Sequence, residues 1–153
     1  MKLDEIALWI AENFDHVRPK SSWGETAFFV NPDGRLPSGS YFATIKEKDG
    51  DNDKASNLDR PGVFRLNFGP GRKAFESLFG VPPARPAKGG IISGMWDFTA
   101  ADQLMPHPVY GWMSWMCILN PTRASFDTVA PLLKLAHGRA LASAPRRGAR
   151  SGA

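Results

Sequence analysis

His107 is the residue with the clearest chemical potential. Prolines at positions 106 and 108 restrict its backbone, and two carboxylates, Asp97 and Asp102, precede it within ten residues. An imidazole oriented by a carboxylate works as a general base, and the same three side chains could share a metal ion. The competing reading is structural. Asp102 caps a short turn with Thr99, His107 is a satisfied hydrogen-bonding group, and this second reading takes precedence. His16 and His137 fall at a helix end and on a helix face, and no two of the three histidines have the spacing of paired metal ligands.

Other chemistry-bearing patterns are weaker. Asp49-Gly50-Asp51-Asn52-Asp53 opens like a calcium loop, but Lys54 stands where the sharp turn needs glycine and Arg60 where a bidentate glutamate should close the cage. The stretch therefore reads as a solvated loop. Gly69-Pro70-Gly71-Arg72-Lys73-Ala74 superficially matches a dinucleotide fingerprint, but the acidic residue expected about 20 positions on is replaced by Gly89 and Gly90. A looser phosphate contact through Arg72 and Lys73 is the functional alternative to a plain strand-to-helix turn. Cys117 lies among apolar neighbours, where a thiol packs and stays inert. Of the five tryptophans, Trp9 and Trp115 read as core, whereas Trp23 falls in a turn.

Composition bounds these possibilities. A chain of 153 residues with 42% hydrophobic and 22% charged side chains is long enough for one domain with one core and is neither fibrous nor wholly disordered. The net charge of +4 resembles a nucleic-acid signal until it is located. Arg139, Arg146, Arg147 and Arg150 follow the last acidic residue, Asp127, and without these four the two signs balance. The domain is expected over residues 1–141, followed by a disordered basic tail over 142–153 whose Arg146, Arg147 and Arg150 make at most a weak nucleic-acid contact. Met1–Glu5 lacks the charge pattern of an export signal, and the longest apolar run, Val109–Leu119, falls well short of a membrane span. A single cysteine fits a reducing cytoplasm.

Leu3, Ile6, Ala7, Ile10, Ala11 and Phe14 form one apolar stripe and predict a helix over 3–13. A short extended piece at 16–18 and a strand over 25–30 predict a hairpin, with turn chemistry at Asn31-Pro32-Asp33-Gly34 and a loop to Ser40. Alternation predicts half-buried strands over 41–48, with Tyr41, Ala43 and Ile45 on the apolar side, and over 63–68, separated by an exposed loop. A short helix is predicted over 72–79, then an irregular connection. Val109–Leu119, apolar on both faces, predicts a central strand. Ser125 is expected to cap a last helix, with Pro131 placing its start near Asp127 or Thr128. The result is α+β: a two-layer domain with an antiparallel sheet of about five strands, terminal helices on one face, and Thr44, Lys46, Arg65 and Asn67 on the other.

Several segments form a familiar set: Trp23-Gly24-Glu25-Thr26, Phe42-Ala43-Thr44-Ile45, the run Asn57–Asn67, Met105-Pro106-His107-Pro108-Val109-Tyr110, and Asn120-Pro121. Occurring in order over roughly residues 1–140, they resemble a family of uncharacterised bacterial proteins known as a domain of unknown function. That resemblance implies no activity. By element order the chain is also similar to the YjbR-like group, small α+β domains with a one-sided antiparallel sheet, for which DNA binding has been suggested. Fold alone does not fix function.

The reading with most support is a binding module without established catalysis. It takes a small molecule or protein through the open sheet face, with Trp23, Lys46, Arg65, Asn67 and Tyr110 as ligand contacts, and burial of Arg65 and Asn67 beneath a helix would overturn it. The alternatives are a hydrolase or metal-assisted enzyme built on His107 with Asp97 or Asp102, and a weak nucleic-acid binder. No cofactor and no bound metal are expected, and a homodimer is compatible with the composition.

Overall fold

The computed structural model describes residues 1–31 and 40–151, with side chains up to residue 143. The expected turn at 31–34 and loop to Ser40 therefore lie almost wholly outside the described residues, as do the side chains of Arg146, Arg147 and Arg150.

The elements run α1 (Leu3–Asn13), β1 (Val17–Ser22), β2 (Glu25–Val30), β3 (Ser40–Lys46), β4 (Arg65–Phe68), α2 (Arg72–Phe79), β5 (Met105–Pro106), β6 (Met116–Leu119) and α3 (Arg123–Ser151). Among the described residues the strands form one six-stranded sheet in the order β1-β2-β3-β4-β6-β5, every neighbouring pair antiparallel. The architecture is α+β with terminal helices. Each margin of the sheet carries a proline, Pro19 in β1 and Pro106 in β5.

One face holds the main core. Ile6 and Ile10 of α1 and Phe126, Val129, Leu133 and Ala136 of α3 pack on Phe28, Ala43, Ile45, Leu66, Phe68, Met116 and Ile118 of the strands. Strand alternation forces Leu66 and Phe68 inward and sends Arg65 and Asn67 to the opposite face. A register shift opposite Phe28 and Phe29 makes Phe42 an extra residue in β3. Phe42 joins the core and Tyr41 turns to the other face against Phe29, reversing the side expected for Tyr41.

That other face is not fully open. Leu58, Ile92 and Phe98 from the long connections bury Met105, Cys117 and Leu119 in a second core over β6 and β5, leaving β2 and β3 uncovered. The stretch 49–61 is likewise no free exposed loop. Asp49 Oδ1 accepts the Leu58 amide at 2.8 Å and Asp59 Oδ1 accepts the Asp49 amide at 3.0 Å, while Ser56 and Leu58 are buried.

The predicted strand 109–119 is strand only from Met116. His107 Nδ1 faces the amides of Val109 and Tyr110 at 3.1 and 3.0 Å and its carbonyl accepts Gly111 N–H at 2.8 Å, bending the chain into a turn and one 3₁₀ segment, Gly111–Met113. The last helix also starts before the expected position. Thr122 accepts the Ser125 amide on its hydroxyl at 3.2 Å and the Phe126 amide on its carbonyl at 2.8 Å, so α3 begins at Arg123 and carries Pro131 inside it.

Candidate functional site

The uncovered half of the second face is a cleft of about 520 Å³ over β2 and β3. Strand pairing sets its floor. Glu25 lies opposite Lys46 and Lys46 opposite Arg65 in one row, and Ala27, Thr44 and Asn67 form the next. The 47–63 connection adds Asp53, and the turn after His107 adds Tyr110, Met113 and Trp115. Tyr41 and Phe29 complete an aromatic wall, with the Tyr41 and Trp115 rings 5.5 Å apart. Trp115 lies so close over Gly69 that a Cβ there would meet the indole at 2.7 Å, so glycine is what admits this wall.

Arg65 is fully buried beside the floor; four of its five N–H donors meet oxygen acceptors and the fifth faces a ring nitrogen of His107. Nε donates to Asn67 Oδ1 at 2.7 Å. Nη1 donates to Asp53 Oδ1 at 3.0 Å and to Ser56 Oγ at 2.9 Å, and Nη2 completes a bidentate pair with Asp53 Oδ2. The remaining Nη2 hydrogen faces His107 Nε2 at 3.2 Å. Asp53 offsets the buried charge, and the fork geometry makes the pair directional. Arg65 is thus covered by the 49–61 segment and the His107 turn, not by a helix, and Asn67 lies on the cleft floor.

His107 is buried with N–H groups facing both ring nitrogens, two amides at Nδ1 and the guanidinium at Nε2. A neutral imidazole has one lone pair for these three donors, and an imidazolium would have none. Burial, then the positive charges of Arg65 and Lys46, push its pKa well below the ordinary imidazole value. Its partners include neither expected carboxylate. Asp97 accepts from the Thr99 amide and hydroxyl at 3.0 and 2.6 Å, and these bonds lower its pKa. Asp102 caps Thr122, accepting its amide at 2.8 Å, and this bond leads the causes that lower its own pKa. Asp97 serves its own turn and Asp102 the distant turn at Thr122, so neither is paired with His107 as base and orienter.

Of the residues expected to contact a ligand, Lys46, Asn67 and Tyr110 line the cleft together with His107, and Arg65 braces it from beneath. Trp23 does not line it. Its side chain is 96% exposed at the β1–β2 turn, held at φ 53°. Cys117 is buried with its thiol pushed up to about 12 by desolvation, and it donates to the Pro106 carbonyl at 3.6 Å. Gly69–Ala74 is a strand-to-helix turn in which Arg139 donates to the Gly69 carbonyl at 3.3 Å and Arg72 pairs with Glu76. Sequence reasoning missed Asp53 and Ser56. The signal was present in the need of a strand arginine for a nearby carboxylate, with an acidic loop just upstream. Among the described residues no group of three or more His, Cys, Asp or Glu side chains is placed to hold a metal ion, and no helix is long and apolar enough to cross a membrane.

No curated protein and no solved structure matches the chain. A family model does match it, over residues 1–149, and its description is "Family of unknown function (DUF6194)". The chain belongs to that family, and its function is to be argued from the cleft over β2 and β3.

Proposed function

We propose that this domain binds a small molecule in the cleft over β2 and β3 and performs no chemistry on it. One observation carries the reading: a half-enclosed cleft of ligand size has an aromatic wall and a few convergent polar groups, held in place by a buried arginine network. Such networks fix side chains to within a few tenths of an ångström, which recognition requires. The binding reading is favoured over the hydrolytic one by His107, whose two ring nitrogens both face donors of the protein itself, and by the engagement of Asp97 and Asp102 elsewhere. The two charged pairs at the cleft, Lys46 with Glu25 and Arg65 with Asp53, balance each other, so neither a polyanion nor a polycation is favoured.

The test is a fragment screen read by the amide spectrum of the ¹⁵N-labelled protein. Binders are expected to shift Ala27, Thr44, Tyr110 and Met113 together. Binders that instead gather in the apolar groove between α2 and α3, at Ala74, Leu78 and Leu132, and leave the cleft silent would overturn the proposal.

A further inference from the structure

We infer that the occupant of this cleft is an aromatic monocarboxylic acid whose carboxylate sits on Lys46, Thr44 and Asn67; the inference rests on the binding reading above. The argument follows the direction of the hydrogen bonds. Arginine has no acceptor, so the Asn67 atom that meets Arg65 Nε must be its oxygen, and its nitrogen therefore faces Thr44 Oγ1 at 2.9 Å. That contact in turn makes the Thr44 hydroxyl an acceptor and turns its own hydrogen away from Asn67. Among the described residues neither this hydrogen nor the second hydrogen of the Asn67 amide has an acceptor. Both side chains are more than nine-tenths buried and both line the cleft.

The chain Arg65, Asn67, Thr44 thus begins on a cation and ends on donors at the cleft floor, each bond polarising the next. Beside them stands the Lys46 ammonium. Its ion pair with Glu25 is long, 3.9 Å, and leaves hydrogens for a second acceptor. Around Thr44 and Asn67 the side-chain acceptors face donors of the protein itself: Asn67 Oδ1 and both Asp53 oxygens meet Arg65, and His107 Nδ1 faces two amides, while the Glu25 carboxylate stands on the far side of Lys46 in the next row. The donors of Thr44, Asn67 and Lys46 call for a ligand group that only accepts, and a carboxylate presents two acceptor oxygens in one plane.

Charge selects carboxylate over phosphate. Arg65 is neutralised by Asp53, whereas Lys46 meets the half-exposed Glu25 only across 3.9 Å, so the floor offers a ligand one loosely held cation, which suits one negative charge and not two. The wall selects the body of the ligand. Phe29, Tyr41, Tyr110 and Trp115 offer ring faces and edges to a planar apolar group, and Met113 adapts to its outline.

The experiment titrates paired aromatic probes into the ¹⁵N-labelled protein: 2-naphthoate, 4-phenylbenzoate and indole-3-carboxylate, each with its primary amide, and 2-naphthyl phosphate. Each acid is expected to shift Ala27, Thr44 and Tyr110 and to bind at least tenfold more tightly than its amide. That advantage should vanish in Lys46→Met, fall in Thr44→Val and survive in Thr44→Ser, which keeps the hydroxyl. Variant spectra outside the cleft report whether each variant is folded, and the serine variant keeps the test open if the valine variant is not. Amides that bind at the cleft as tightly as the acids, or a phosphate that binds more tightly, would overturn the carboxylate assignment and leave the cleft as a site. Probes that leave all three amides unmoved would overturn the assignment of the site as well.

Discussion

Replacing Arg65 by methionine keeps most of the aliphatic volume and removes the guanidinium, which isolates its consequences. The Asp53 carboxylate, 16% exposed, loses both bonds of its bidentate pair, and Asn67 Oδ1 and Ser56 Oγ lose donors in buried positions. Removing one partner of a buried ion pair costs about 3–5 kcal/mol. Solvent reaches Asp53 and lets it rehydrate, which places the loss near about 3 kcal/mol. Against a total stability of about 5–15 kcal/mol for such a domain, this is a large fraction. Urea unfolding at pH 7 measures it directly. A second variant, Asp53→Leu with Arg65→Met, removes both charges and should be more stable than Arg65→Met alone, because no orphaned carboxylate remains. An Arg65→Met variant within about 1 kcal/mol of the parent, or a double variant whose loss equals the sum of the two single losses, would refute the account of Arg65 as a neutralised, buried brace.

His107 makes a prediction in pH. Its folded pKa lies well below the unfolded value, so the unfolded chain binds the extra proton first and stability falls as pH drops below about 6.5, by up to about 1.4 kcal/mol per unit. Asp97 and Asp102, whose pKa values are lowered, contribute only below about pH 4, so denaturant midpoints between pH 4.5 and 7 read the histidine; His107→Gln should flatten that slope. Cys117, buried with its thiol near 12, should resist a water-soluble disulfide reagent at pH 8 and react once urea unfolds the chain; prompt labelling of the native protein would contradict the second core. Trp23→Ser should leave the urea midpoint unchanged to within about 0.5 kcal/mol, since the indole touches little, and a larger loss would mean that it has a packing partner.

Some of this was legible in the sequence and some was not, for identifiable reasons. The stripe Leu3, Ile6 and Ile10 has a single explanation in helical geometry, and the alternation of Arg65 and Asn67 with Leu66 and Phe68 has one in the pleat, so α1 and β4 could be read directly. Val109–Leu119 was ambiguous. A segment wedged between the second core and the cleft is apolar all round whether it is strand or turn, and the deciding contact, an imidazole nitrogen facing two amides, leaves no trace in hydropathy. The bulge at Phe42 is likewise set by pairing with β2, which a one-residue alternation rule cannot see. At the site, Lys46, Asn67, His107 and Tyr110 carried chemical types worth naming and the fold brings them to one cleft. Asp53 looked like one more solvated charge, because its partner is twelve residues away across a loop that closes only in three dimensions.

The two marginal strands bear on association between molecules. An exposed β-strand edge is a template for another chain, the route by which folded sheets fuse into fibrils. Here Pro19 lies in a solvent-facing outer strand flanked by Arg18 and Lys20, and Pro106 occupies half of the two-residue strand at the opposite edge. A proline contributes no amide hydrogen to a ladder, and like charges on two copies repel as they approach. Both margins of the sheet therefore carry features that disfavour edge-to-edge growth.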